Sequence, residues 1–509
     1  MGELLALEQV VEPKRSGDDP DASSTRRLGG VSDPGRRTHY NVTLAVLTFA
    51  CVAYAVQQTM VIPALPVFQR DLHTTTAWAA WLFTAFLLTS AVATPLLGKL
   101  GDQYGKERVL LISLSVFFVG CVGASFAGSI WVLIAWRALQ GVGGAVFPLS
   151  FAIVRDEFPA AKVGSAVGLI SAVFVVGGGL GLVLSGLLLD HGSWRGIFVA
   201  GAVLVGAAAV LVRVFVPESP VKTESRVDVP GALLLSGGLV SLLLALTEGD
   251  SWGWSSARTL GLFALAAALL VCWGAVELRV AEPMVDMRML ANRPVLFTNL
   301  TSILAGWALF GTYVLVPTFV ETPNGLGPAL ARLVPYGFGA SPLTAGLYLL
   351  PGSLVGFVSG PAAGRIGYRF GWKWPLALGM VTTAVGAAAL ALWHEHPWQI
   401  VLATLVLGGG APLAFAAMAK LIIDAVSASE TGVATGMNTV MRTVGGVIGG
   451  QVGAAILTAS TIAGVGVPKE SAFTTAFWIS AAVASVAVVI ALLVTPWRTR
   501  ARVAEAASV

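Results

Sequence analysis

The sequence predicts an all-α integral membrane protein that crosses the bilayer fourteen times and leaves almost nothing over for a water-soluble domain. Three observations carry that prediction. Hydrophobic residues make up 56% of the 509 and charged residues only 11%, with a mean hydropathy of +0.81, whereas a water-facing surface needs roughly a quarter of its residues charged. The apolar residues are gathered into runs of about twenty, the length a helix needs to cross a hydrocarbon core of about 30 Å. The basic residues fall between those runs, concentrated in alternate connections.

Spans are placed at 41–63, 76–97, 108–127, 130–154, 164–189, 196–215, 229–247, 258–278, 295–320, 342–363, 375–393, 399–423, 432–460 and 471–496. Fourteen is even, so both termini share a side. Short loops rich in Lys and Arg stay in the cytoplasm. With the N terminus inside, 24 of the 31 basic residues are cytoplasmic; Arg70, Arg195, Arg258, Arg332 and Lys469 lie outside, and Arg137 and Arg442 lie within spans. The net charge of +4 is thus a matter of topology; no basic stripe points to a nucleic-acid partner.

The first forty residues, rich in Gly, Ser, Pro, Asp and paired arginines, are expected to form a disordered cytoplasmic tail, with the first span as an uncleaved signal anchor. Cys51, Cys121 and Cys272 fall inside apolar runs and read as packing residues. His394-Glu395-His396 is too short a cluster for a metal site and reads as solvated loop, so neither a metal nor a cofactor is expected. No phosphate-binding loop and no catalytic constellation is present, which argues against an enzyme. The segment 321–341 is long for a connection between helices, and is either a cover over the outer mouth or an insertion without a role.

The chain repeats itself. Gly164, Gly168, Gly177 and Gly181 return 268 residues later as Gly432, Gly436, Gly445 and Gly449, and Gly98-Lys-Leu-Gly-Asp-Gln-Tyr-Gly105 returns as Gly364-Arg-Ile-Gly-Tyr-Arg-Phe-Gly371 at an offset of 266. Two homologous six-helix bundles follow, at 41–215 and 294–496, separated by a linker at 216–293 that carries two extra spans, with tails at 1–40 and 497–509. Parallel repeats of this kind suit rocking of two bundles about a site near the midplane.

The segment from Gly98 through Asp102, Gly105 and Lys106 to Arg108 resembles the loop motif between the second and third spans of the major facilitator superfamily, in its fourteen-span drug:proton antiporter branch. Arg137-Ala-Leu-Gln140-Gly141-Val-Gly143 is similar to the branch's fourth-span motif, and Gly168, Gly177, Gly181 and Gly186 to its fifth-span motif. The likeness covers nearly all of the chain after residue 40. It implies the major facilitator fold and export of drug-like small molecules in exchange for protons, from a bacterial plasma membrane, by a monomer. It also implies roles. Asp102 would latch the two halves by facing a helix N terminus. Lys106 or Arg108 would pair with Asp156 or Glu157, and Arg137 would take part in proton coupling. A central arginine costs about 2.5–3.5 kcal/mol on the lenient insertion scale, so it needs a polar partner or an aqueous path.

The chain departs from the family pattern at Gln103, Leu182, Ser185 and above all Gln57, where the branch commonly carries an aspartate. Glutamine cannot titrate. No carboxylate lies near the middle of any span; the nearest are Asp190 and Glu321 at outer ends and Asp102, Asp156 and Asp424 at inner ones. Coupling through Arg137 with water and an end-of-span acid, and transport without protons, both stay open. Polar or amphipathic residues within spans nominate a central cavity of Gln57, Gln58, Asn299, Trp307, Asn438 and Arg442, with Gln57 also within reach of Arg137.

Overall fold

The computed structural model describes residues 40–74, 76–219, 228–323, 334–462 and 467–494. The two tails, the 220–227 connection and the middle of the 321–341 segment lie outside the described residues. Among the described residues, fourteen helices are long and apolar enough to cross a membrane. In order they are α1 (Tyr40–Thr59), α2 (Thr76–Tyr104), α3 (Lys106–Ser125), α4 (Ile130–Glu157), α5 (Ala160–His191), α6 (Arg195–Phe215), α7 (Val229–Trp252) and α8 (Ala257–Glu277). They continue with α9 (Arg293–Glu321), α10 (Pro342–Phe370), α11 (Lys373–Leu392), α12 (Pro397–Ala425), α13 (Thr431–Ala459) and α14 (Glu470–Leu492). Two six-helix bundles, α1–α6 and α9–α14, are joined through the extra pair α7 and α8.

Helix is the only open-ended way for a chain to satisfy its backbone in hydrocarbon. The breaks in it are informative. α4 tightens to a 3-10 turn at Gly141–Ala145, which begins at the glycines that close the arginine motif. The Gly98–Gly105 segment, expected as a loop, instead continues α2 through Tyr104, and its second copy continues α10 through Phe370. The turn comes only at the last glycine of each copy, Gly105 (φ 114°) and Gly371 (φ 96°), a left-handed conformation that a side chain would strain.

The bundles meet along two seams, and glycine makes both. On one seam, Gly98 of α2 and Gly432 of α13 approach so closely that a Cβ on either would stand 2.6 Å from the other's carbonyl oxygen. On the other, Gly364 of α10 crosses Gly164 of α5, with 3.3 Å from such a Cβ to the Gly164 carbonyl carbon. These crossings are repeat-related. So are two crossings within the bundles: a Cβ at Gly181 would meet the Val56 carbonyl oxygen of α1 at 2.5 Å, and one at Gly449 the Trp307 oxygen of α9 at 2.5 Å. Small residues permit this approach where lipid supplies no hydrophobic drive.

The α5/α10 seam is packed along its length, from Gly164 against Trp372 through Gly168 against Gly360 to Gly186 against Leu343. The α2/α13 seam is covered from outside by α7, whose Leu235, Leu239, Leu243 and Leu246 share one buried cluster with Val433, Met437 and Val440 of α13. α8 packs on α7 and is otherwise open to lipid: 17% of its span is buried, against 78% for α5. Cys272 is accordingly exposed on α8, unlike the buried Cys51 and Cys121.

At the end away from α1's first turn, His394 is not solvated as the sequence suggests. It is mostly buried, with Nδ1 2.9 Å from the Leu390 carbonyl, Nε2 2.9 Å from Glu470, and its ring edge-on to Phe319. The described part of the 321–341 segment folds back on α9: Phe338 and Ala340 donate to the Val320 carbonyl, and Tyr336 stacks on Phe319.

Gly432→Ala is expected to lower the melting temperature of the detergent-purified protein, because the added methyl overpacks the α2/α13 crossing at a cost of about 1–3 kcal/mol. Gly261→Ala on α8, where a Cβ meets nothing within 4 Å, is expected to leave it unchanged or raise it through helix propensity. Equal melting of the two variants would contradict this crossing.

Candidate functional site

The end of the molecule that gathers the last turns of α2, α4 and α10 and the first turns of α5 and α13 carries a buried charge cluster bridging the bundles. Asp102, in the last turn of α2, is 1% exposed. Its carboxylate accepts from the backbone N–H of Gly432 (3.0 Å) and of Val433 (3.3 Å), the first turn of α13. Unpaired N–H groups and the positive end of the helix dipole both favour an anion there. Lys106 is fully buried beside it, 3.7 Å from Asp102, and pairs directly with Asp156 at the end of α4. Of the alternatives the sequence leaves open, the structure thus makes the Lys106–Asp156 pair, while Arg108 is exposed and Glu157 accepts no ion pair among the described residues. Gly105 brings Lys106 back toward Asp102 by turning the chain between them.

Sequence reading missed three members of this cluster. Arg155, counted only as a topological charge, crosses between the bundles: it donates to the carbonyls of Val426 (2.8 Å) and Ser427 (2.9 Å) and to the Thr431 hydroxyl. The Ser219 hydroxyl donates to Asp156. Glu218 accepts from the N–H groups of Glu107 (3.2 Å) and Arg108 (3.3 Å), capping α3. The only signal for them is position, since all three flank the ends of spans where helix termini need partners. Beside the cluster a groove of about 740 Å³ opens between Arg155, Tyr368, Trp372, Lys420 and Asp424.

Arg137 is fully buried in α4. Its Nε donates to the Leu82 carbonyl of α2 (2.9 Å) and its Nη1 to Gln140 Oε1 (2.6 Å), while Gln140 Nε2 donates to the Gly120 carbonyl of α3 (3.0 Å). The guanidinium lies 4.3 Å from the Phe86 ring centroid, and Nη2 has no partner. Its polar contact is therefore Gln140, one turn along its own helix, rather than Gln57. Gln57 points the other way, into the notch left by Gly201 of α6, and both its amide atoms lack a protein partner.

The six nominated cavity residues do not form one chamber. Gln57 and Gln58 are buried in the first bundle, Asn438 donates to Asn299 (2.9 Å) to tie α13 to α9, and Trp307 is half-buried with its carbonyl against Gly449. None of them lines the apolar cavity of about 180 Å³ that lies between the bundles. That space is bounded by Phe83 and Leu87 of α2, Leu243 of α7, Phe310 and Tyr313 of α9, and Thr443 of α13. Helical rotation explains the difference: a span position says a residue is in the membrane, not which face of the helix carries it.

Arg442 of α13 is the exception among the six, because it sits on the interface itself. Its guanidinium carbon is 4.6 Å from the ring centroids of both Phe174 of α5 and Phe415 of α12. Tyr54 of α1 lies within electrostatic range of both Arg442 and Arg137 and hydrogen-bonds to Ser90 (3.0 Å). The fifth-span glycines divide their contacts: Gly168 and Gly186 pack on α10 of the other bundle, Gly177 and Gly181 on α1 of their own.

Comparison with known proteins agrees with this architecture. The family profile of the Major Facilitator Superfamily matches residues 47–332 and 322–508. The Tetracenomycin C resistance and export protein of Streptomyces glaucescens is 29% identical over 344 residues, covering 67% of this chain and 61% of that protein. An MFS-type transporter of Mycobacterium tuberculosis is 32% identical over 428 residues, covering 81% of this chain and 58% of its own length. The chain thus spans about three fifths of the length of these relatives. Among solved structures, the human organic anion transporter MFSD10 superposes with a TM-score of 0.62 at 14% identity, over 89% of this chain and 99% of that one. The proton:xylose symporter XylE does so with 0.59 at 15%, over 88% and 94%. With two six-helix bundles, an interior glycine repeat and a profile match over nearly the whole membrane region, the chain belongs to the Major Facilitator Superfamily.

Proposed function

We propose that this protein exports drug-like, amphipathic small molecules from a bacterial cell in exchange for protons, by alternating access between its two bundles. The observation that carries the reading is the unequal closure of the interface. The end bearing the charge cluster is held by the carboxylate of Asp102 on the α13 N terminus and by Arg155, contacts that can break and re-form as a unit, while an apolar cavity occupies the opposite half of the α2/α13 seam. The bias of basic residues toward the closed end supports a cytoplasmic side there, with both termini inside, and the proposal takes the chain as a monomer in the plasma membrane. The moving bodies are 41–215 and 294–496, with 216–293 carried between them. The names of relatives, among them the Streptomyces export protein and a multidrug transporter of Bacillus subtilis that is 26% identical over 407 residues, support export of such compounds.

Arg137 is the residue assigned to proton coupling, since its guanidinium is buried among neutral groups and any change in water or charge nearby alters its energy strongly. One observation favours a second reading, facilitated transport without protons: among the described residues, no carboxylate lies near the middle of a span.

Everted vesicles carrying the protein and a fluorescent pH probe separate the two. On addition of lipophilic cations, neutral antibiotics and organic acids, at least one compound is expected to dissipate the proton gradient with the unmodified protein and not with Arg137→Ala. Compounds that cross without disturbing the gradient would replace exchange by facilitated transport. For the latch, Asp102→Ala is expected to raise amide hydrogen exchange at Gly432 and Val433 at least tenfold by removing their acceptor; unchanged exchange would remove Asp102 from the gate.

A further inference from the structure

We propose that Arg442, at the centre of the interface between the bundles, binds the negative charge of an aromatic organic anion. This rests on the export reading above and names the substrate class it would take. Arg442 is only 6% exposed, yet its guanidinium has no hydrogen-bond acceptor and no carboxylate among the described residues. Arg137 and Arg155, by contrast, each donate to backbone or side-chain oxygens. The two rings beside Arg442 lie over the guanidinium, one from each bundle, and attract its charge. The two rings stand at 77° to each other, so the guanidinium can lie flat on at most one of them; a ring face is a weaker partner for its N–H groups than the oxygens of a carboxylate or phenolate, which accept from its fork.

The internal repeat shows why this place is singular. The position 268 residues before Arg442 is Phe174, and the one 268 before Phe415 is Phe147. Phe174 packs edge-on against Phe147 (5.3 Å) and Phe415 (6.0 Å). Repeat-equivalent residues therefore face each other across the interface, and where the first repeat closes the cluster with a ring the second inserts a cation. The charge is uncompensated on a larger scale too. Arg137 and Arg442 are the cationic residues in the middle of the described spans, whereas the carboxylates of Asp102, Asp156, Asp190, Glu321 and Asp424 lie at span ends. A cationic substrate reaching the midplane meets two like charges in a medium that screens little. An anion meets two opposite ones.

Space for the rest of the ligand adjoins. Thr443, the residue after Arg442, lines the apolar cavity, as does Phe310, which packs edge-on against Phe174 at 6.3 Å. Arg442 does not itself line that cavity but lies behind Phe174 and Phe310, so an aromatic body there reaches the guanidinium when one of these rings gives way. An inside-negative membrane potential also favours outward movement of an anion, so this substrate class adds to the driving force for export.

The test is isothermal titration of the full chain purified in detergent, with 2-naphthoate and, as a cation on the same ring, N,N,N-trimethyl-2-naphthylmethylammonium. The unmodified protein is expected to bind the naphthoate at least tenfold more tightly than the ammonium compound, a comparison that depends on no variant. Arg442→Gln is expected to weaken naphthoate binding tenfold or more while melting within a few degrees of the unmodified protein, and Arg442→Lys to fall between. Equal affinities, a preference for the cation, or unchanged naphthoate binding by a folded Arg442→Gln protein would overturn the anion site. In proteoliposomes with the pH probe, naphthoate binding without proton movement keeps the anion site and overturns proton exchange. Proton movement with the ammonium compound alone overturns the anion site and leaves export standing.

Discussion

Inside a bilayer, burying an apolar surface against another helix gains nothing over burying it against lipid. Close backbone contact has to replace that drive, and in this chain the contacts are made at glycine: Gly98 on Gly432, Gly168 on Gly360, Gly181 on Val56, Gly449 on Trp307. The rest of the structure depends on where those contacts fall. Along α5 and α10 they run from Gly164 to Gly186. Along α2 and α13 they hold one half, and beyond them Phe83, Phe310 and Tyr313 stand around a cavity instead. The extra helix α7 is placed against this looser seam, with Leu243 on the cavity wall, so the pair that distinguishes a fourteen-span chain from a twelve-span one seals the side that glycine leaves open.

Charge is handled in two contrasting ways. At the closed end, Asp102, Lys106 and Asp156 are almost wholly buried yet paired with one another, with Ser219 and with the α13 backbone. Removing one partner from such a set costs about 3–5 kcal/mol because it strands the others, which would suit the proposed gate, wholly made or wholly broken. In the middle, two arginines stand without acids. Arg137 is held by neutral oxygens within the first bundle. Arg442 is held only by rings, and these come from both bundles, so any relative movement of the bundles would change its environment.

Much of this was legible before any coordinates. Run length and composition identify the fourteen spans, and the glycine spacing at an offset of 268 marks α5 and α13 as equivalents whose contacts the structure finds to be equivalent too. Other features were out of reach. The Gly98–Tyr104 segment reads as loop because it is polar, but at a helix end polarity costs nothing, and α2 continues through it to Gly105. Arg155 and Glu218 look like ordinary flanking charges, and only proximity to helix ends from elsewhere in the chain makes one a bridge and the other a cap. Gln57, conspicuous as a polar residue in the first span, turns toward Gly201.

By itself, then, the sequence determined the solvent, the number of crossings and the internal repeat, because each is a property of composition or spacing along one helix. The tertiary structure decided which polar groups meet. Each residue advances a helix by about 100°, and the crossing points depend on the rotation and depth of two helices at once. No local pattern encodes that Arg442 comes to rest between Phe174 and Phe415, from two other helices, while Gln57, near the end of α1, packs against Gly201 of α6.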